Sequence, residues 1–255
     1  MKVALPVSQY YSEVRSKLLP VSGALFIRQR SDLDKRMRGK DAIFHANGFI
    51  DDGFDDMVNN REFLSYINNE IELLSFDLGP SALQVKCHSS DGYITSHAPL
   101  SEIEIFNIAK NKIGNMRRLY KGPISLENLD YHPTGAYEHV CEPAFISKLI
   151  NDLDLFFTLD IGHVEVTCNN LSLDKYEYLR KLPLSRVFEI HITHSPGAED
   201  MHMLPTDQEY DLLDYVLGHS CPRYIVQEYH YEPDGMIDGV RRLVKFLKKR
   251  GCYEN

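Results

Sequence analysis

The chain has 255 residues, 43% of them hydrophobic, enough to bury a sizeable core, and a formal charge of −9 that would repel a phosphate backbone. No run approaches the roughly 20 apolar residues that cross a bilayer, and "MKVALPVSQYYSEVR" turns polar too early for a signal peptide, so a cytoplasmic location is expected, with neither membrane nor nucleic acid as partner. The five cysteines, Cys87, Cys141, Cys168, Cys221 and Cys252, are odd in number and scattered, which disfavours both a disulfide framework and a CxxC zinc site.

In chain order, short apolar runs bounded by turn signals recur at 2–8 (KVALPVS), 24–30 (ALFIRQR), 42–48 (AIFHANG), 71–77 (IELLSFD), 123–129 (PISLENL), 156–163 (FFTLDIGH), 186–192 (RVFEIHI) and 223–229 (RYIVQEY). Between them lie segments with helical spacing, at 55–69, 100–120, 141–153, 173–182 and 207–217, and the basic tail RRLVKFLKKR reads as a C-terminal helix with a solvated face. Eight strands alternating with helices predict an α/β fold, a closed (β/α)8 TIM barrel forming a single domain over 1–255, with a doubly wound open sheet as the competing architecture. Residues 79–100 read as a long loop over one barrel mouth.

Barrel chemistry gathers at the C-terminal ends of strands. There the sequence places His45, Asp77, Glu127, Asp160 with His163, His191 and Glu228, and Asp200 with His202 follows the seventh run. Any one of these could cap a helix or sit quietly in a core. Together they would crowd carboxylates at a single axial spot, which is electrostatically unfavourable without cations, so the set predicts a metal site.

Asp200 and His202, two apart, leave an extended segment on the same side. Asp160 and His163, three apart, would leave a continuous strand on opposite faces, so the strand is expected to bend at Gly162 and roll over the rim. This many carboxylates and imidazoles exceeds the need of one tetrahedral zinc and suits two or three ions of iron, manganese or zinc.

The stretch from "ISLENLDYHPTG" through "LFFTLDIGH" and "RVFEIHITHSP" to "DMHMLPTDQEYDLL" and "YIVQEYH" resembles the DUF692 family, the multinuclear non-haem iron-dependent oxidative enzymes (MNIO) of the xylose-isomerase-like superfamily. The resemblance implies a TIM-barrel enzyme with two or three irons that uses O2 to modify a cysteine or other residue of a ribosomally synthesised precursor peptide, often with a small recognition protein. By position it carries the ligand role to His45, Glu127, Asp160, His191, Asp200, His202 and Glu228. Asp77 in "SFDL" stands where the family has histidine, and His163 in "DIGH" where many members have asparagine. His194 takes the place of a glycine and is open between a supporting, a ligating and an exposed role. Tyr131, His132, Tyr229 and His230 are candidates for peptide contact at the rim.

Two other readings stay open. "TLDIGH" also suits the metal-dependent sugar isomerases or epimerases and the endonuclease-type hydrolases of the same superfamily, although the negative charge weighs against the endonuclease branch. The departures at Asp77 and His163 would also fit a non-catalytic metal-binding barrel.

Overall fold

The computed structural model describes residues 1–28, 41–46, 48, 53–88, 92–229 and 231–254. Its frame is a closed barrel of eight strands, each hydrogen-bonded in parallel to its neighbours: β1 (Lys2–Pro6), β2 (Ala24–Arg28), β3 (Ala42–Ala46), β4 (Ile71–Asp77), β7 (Ile124–Glu127), β8 (Phe156–Asp160), β9 (Val187–Ile192) and β10 (Tyr224–Gln227), which closes onto β1. All eight fall on the apolar runs. Strands of a barrel are covered on both faces, so they read as continuous hydrophobic stretches and not as alternating ones. Between β4 and the next barrel strand, 79–100 is more than a loop: β5 (Lys86–His88) and β6 (Gly92–Ile94) pair as an antiparallel hairpin.

The outer helices are held by caps and apolar stripes. In α4 (Glu102–Leu119) Ser101 and Glu104 form a reciprocal capping box, and Ile105, Ala109, Ile113 and Met116 recur every three to four residues on the buried face. The basic tail lies within α9 (Pro233–Arg250), which buries Met236, Ile237, Val240, Leu243, Val244 and Leu247, keeps Lys248, Lys249 and Arg250 in its last turn, and ends at Gly251 with φ 75°. No helix among the described residues is long and apolar enough to cross a membrane.

One boundary differs from the sequence reading in a way that matters for the site. The strand after Phe156 does not roll over the rim. It stops at Asp160, and α6 (Ile161–Leu171) begins at once, with the Asp160 side chain accepting the His163 N–H at 2.9 Å as N-cap. The alternation in Val164–Glu165–Val166 imitates a strand, but from Ile161 to Cys168 every residue is buried, as in a helix enclosed on all sides. Gly162 is needed for closeness: a Cβ there would lie 2.1 Å from Thr193 Oγ1, at the end of β9.

Inside the barrel a small core of Ala4, Ala24, Phe26, Ile43, Leu73, Tyr224 and Val226 fills the axis. Strand register then sets the height of the polar residues: His45 pairs with Arg28 and Ser75, Asp77 with Glu127, and Asp160 with His191. Six strands thus bring residues at or near their C-terminal ends to the same mouth of the barrel.

Candidate metal centre

Glu127, the last residue of β7, is fully buried and forms the hub. Its Oε2 lies 3.2 Å from His45 Nδ1, and its Oε1 lies 3.3 Å from His163 Nδ1 and 3.4 Å from His191 Nδ1. His45 Nε2 continues to Asp77 Oδ1 at 2.9 Å. Asp160 Oδ2 lies 3.7 Å from His191 Nδ1 and 3.9 Å from His163 Nε2, while its Oδ1 caps α6. Glu228, directly after β10, places Oε2 3.6 Å from His191 Nδ1 and 3.5 Å from His202 Nε2. Asp200 Oδ2 closes the ring, 2.8 Å from His202 Nδ1 and 3.6 Å from His163 Nε2.

All nine residues singled out as ligand candidates therefore lie in one contiguous network. It resolves into overlapping triads, His45–Asp77–Glu127, Glu127–Asp160–His163 and Asp160–His191–Glu228, each with donor atoms within 4.8 Å of one another. Glu127 and Asp160 are each shared between two triads, the arrangement expected of bridging carboxylates.

The segment carrying Asp200 and His202 is not extended as the spacing suggested. His202 has φ 46°, a left-handed conformation that a non-glycine residue adopts only when its surroundings impose it. Those surroundings are visible. The backbones of His194 and Met203 exchange two hydrogen bonds at 3.0 Å, and inside that closure Ser195 Oγ donates to Asp200 Oδ1 at 3.0 Å and accepts from the Met201 N–H.

Four further residues, missed in the sequence, shape the centre. Glu189 sits two positions before His191 on β9 and accepts from His191 Nε2 at 2.9 Å, which turns Nδ1 toward the carboxylates. The Asn128 carbonyl accepts from His163 Nδ1 at 2.7 Å, and the Asn128 side chain pairs with the Asp160 backbone in both directions. Ser75 Oγ lies 3.0 Å from His45 Nδ1. Arg28, at the end of β2, grips Glu228 with both arms, Nε to Oε1 at 3.0 Å and Nη2 to Oε2 at 2.9 Å. Glu189 was legible from the period of two along "FEIHI". Arg28 was not, because a search for metal donors passes over a cation.

The protonation balance follows from this crowding. Burial alone would depress the imidazoles, but the facing carboxylates outweigh it: His191 is raised well above its ordinary value by Glu127, Glu228 and Glu189, and His163 by Asp160 and Asp200. His202 is pushed up to about 10 by Asp200 and Glu228 against the same burial. Conversely, burial would raise the carboxyls, yet Arg28, His191 and His202 hold Glu228 well below the carboxylate range, and His163 and His202 hold Asp200 low. The four imidazoles and the Arg28 guanidinium thus supply the positive charge that these crowded carboxylates face among the described residues.

The remaining candidates lie elsewhere. His194 faces Glu165 and Glu209, away from the axial triads. His132 is buried, 2.6 Å from Asp130 and beside the Tyr137 ring, and Tyr131 is half-buried with its N–H bonded to Thr167 Oγ1 at 2.9 Å. Tyr229 is also buried, and His230 falls outside the described residues.

Residues 90–238, more than half of the chain, match the family described as RiPP precursor modification enzyme MbnB/TglH/ChrH. The chain belongs to this family. Seven of the nine clustered residues fall inside the matched stretch of the MbnB/TglH/ChrH family, while His45 and Asp77 precede it. Among relatives, a UPF0276 protein of Caulobacter vibrioides is 32% identical over 105 residues, 39% of this chain and 38% of that protein. One from Shewanella oneidensis is 21% identical over 161 residues, 63% of this chain and 57% of that protein. The chain thus spans well under two thirds of the length of the relatives it matches.

In overall shape it is similar to a D-tagatose 3-epimerase-like protein (TM-score 0.61, 15% identity, 98% of each chain). It is also similar to an AP endonuclease, family 2, from Brucella melitensis (TM-score 0.55, 14% identity, 92% of this chain and 97% of that one). At such identities these likenesses establish the TIM-barrel fold and nothing about substrate.

Proposed function

We propose that the chain is a multinuclear non-haem iron enzyme that uses O2 to oxidise a cysteine or another residue of a ribosomally synthesised precursor peptide, working in the cytoplasm and receiving the peptide with a small recognition protein. The observation that carries this reading is the set of buried donor atoms with no hydrogen bond to satisfy them: both oxygens of Glu127, Asp160 Oδ2 and His191 Nδ1. Orphaned acceptors at full burial are unfavourable by about 1–3 kcal/mol each and persist where a ligand completes them.

The donor set fits iron. Imidazoles and bridging carboxylates suit it, and no thiolate lies among the described ligand candidates. His45, Asp77 and Glu127 would hold one ion and Asp160, His191 and Glu228 a second, with His163, Asp200 and His202 adjoining them as further donors. Iron bound there supplies the redox capacity to activate dioxygen beside the substrate.

The residues of the chain do the rest. Glu189 and Asn128 fix the imidazole tautomers of His191 and His163, so each ring presents one defined nitrogen. Asp77, a carboxylate where imidazole is the family's donor, adds negative charge and favours the more oxidised metal. Exposed Met201, Met203, Leu204 and Tyr231 border the loop bearing Asp200 and His202, and offer an apolar rim for an extended peptide.

The test is metal content and Mössbauer spectroscopy on chain expressed with supplemental iron and purified anaerobically. Two or more antiferromagnetically coupled irons per chain, lost in Glu127→Gln, support the reading. Zinc or manganese in place of iron would overturn it and move the chemistry to sugar isomerisation or hydrolysis, whereas a chain that takes up no metal would be a non-catalytic barrel.

A further inference from the structure

A second group of ligating side chains lies outside the axial centre and is not needed by it. Glu165 projects from α6, Glu209 from the first turn of α8 (Asp207–Leu217), and His194 from the segment just past β9. Their nearest donor atoms lie within 4.8 Å of one another, with His194 Nδ1 3.1 Å from Glu209 Oε1 and 3.6 Å from Glu165 Oε2. Glu165 is 1% exposed and Glu209 0%.

The other contacts of these groups leave one inward donor on each unclaimed or weakly claimed. Glu209 Oε2 accepts the Thr206 N–H at 2.6 Å as part of the α8 capping box, and Glu165 Oε1 is ion-paired to Lys175. Glu165 Oε2 accepts a long 3.4 Å contact from the Ser195 N–H, and its carboxyl also meets that of Glu209. Glu209 Oε1 and His194 Nδ1 are buried with no hydrogen bond. Among the described residues the two buried carboxylates share a single ammonium, that of Lys175. Burial, and then the neighbouring Glu209, raise the Glu165 carboxyl against the opposing ion pair with Lys175.

We propose that Glu165, His194 and Glu209 form a second divalent-cation site of the zinc class, separate from the axial cluster. Two carboxylates and one imidazole supply three ligands, and water completes a tetrahedron on the side where His194, 20% exposed, reaches solvent. The role is structural. An ion there ties α6 and α8 to His194, whose backbone closes the loop that presents Asp200 and His202, so it fixes the geometry of that loop without touching the reacting centre.

The test uses the full chain, zinc-saturated and freed of loosely bound metal, with zinc counted by elemental analysis and thermal unfolding followed with and without zinc. His194→Gln and Glu165→Gln should each lower the zinc count by one. Glu127→Gln should empty axial positions yet keep a zinc-dependent rise in melting temperature, and adding His194→Gln to it should abolish that rise. Should His194→Gln fail to fold, Glu165→Gln, which preserves side-chain volume, gives the same reading. An unchanged count in both single variants would overturn the proposal, as would loss of the whole zinc-dependent shift in Glu127→Gln alone.

Discussion

At the N-terminal end of the barrel, carboxylates meet permanent cations: Asp41 is ion-paired to Lys2, and Glu72 lies 2.6 Å from Arg223 and accepts from the Tyr224 hydroxyl. At the C-terminal end, Asp77, Glu127, Asp160, Asp200 and Glu228 face, among the described residues, four imidazoles and a single guanidinium, with Glu127 and Glu228 wholly buried. The lower pairs are partly exposed and complete in themselves. The upper set is more deeply buried and balances its carboxylates mainly with imidazoles, which can exchange protons for ions, and that difference separates a stabilising network from one suited to receive ions.

The contrast is broken most directly at the hub. Glu127→Ala is expected to lower metal content by at least one ion per chain and activity by roughly 100-fold or more while the barrel stays folded, because the side chain serves the ions more than the core. Elemental analysis alongside circular dichroism checks both halves. A variant that retains full metal but melts early would misplace the site.

Arg28→Met should act unequally on the two states. The metal-free chain loses about 3–5 kcal/mol, since Glu228 is left buried and uncompensated, whereas metal saturation recovers most of that loss. Denaturant unfolding with and without metal measures it. Glu189→Gln is milder: the His191 ring loses its anionic anchor and metal affinity falls by roughly 10–100-fold, read from competition with a chelating dye.

The pH response sharpens the comparison. The folded value of His202, raised from 6.5 to about 10, means its stabilisation is complete below pH 6.5 and disappears as pH climbs toward 10. The melting temperature of the metal-free chain should therefore fall across that window, less steeply in His202→Gln. Metal binding, which needs the neutral imidazole, should strengthen over the same range. Smallest of all is Glu72→Gln at the opposite end, where about 0–1 kcal/mol and no change in metal content are expected.

The strands were readable because barrel burial leaves an uninterrupted apolar signature, and the ligand-type residues because they end those runs. What escaped the sequence depended on partners distant along the chain. The helical start at Ile161 is set by the Asp160 cap, with Gly162 leaving the room that Thr193 occupies, and the valines that follow mimic a strand as well as a buried helix. The left-handed His202 results from the closure between His194 and Met203, which no local pattern announces. Arg28 becomes meaningful only when the barrel closes and brings β2 beside Glu228.

Asp160 divides its two oxygens between separate duties, one holding the first turn of α6 and the other turned to the shared donors. The first turn of α6 is therefore secured by the chain's own carboxylate and owes nothing to an ion. Titrating metal into the chain should accordingly leave its helical content unchanged, a constancy that circular dichroism would register.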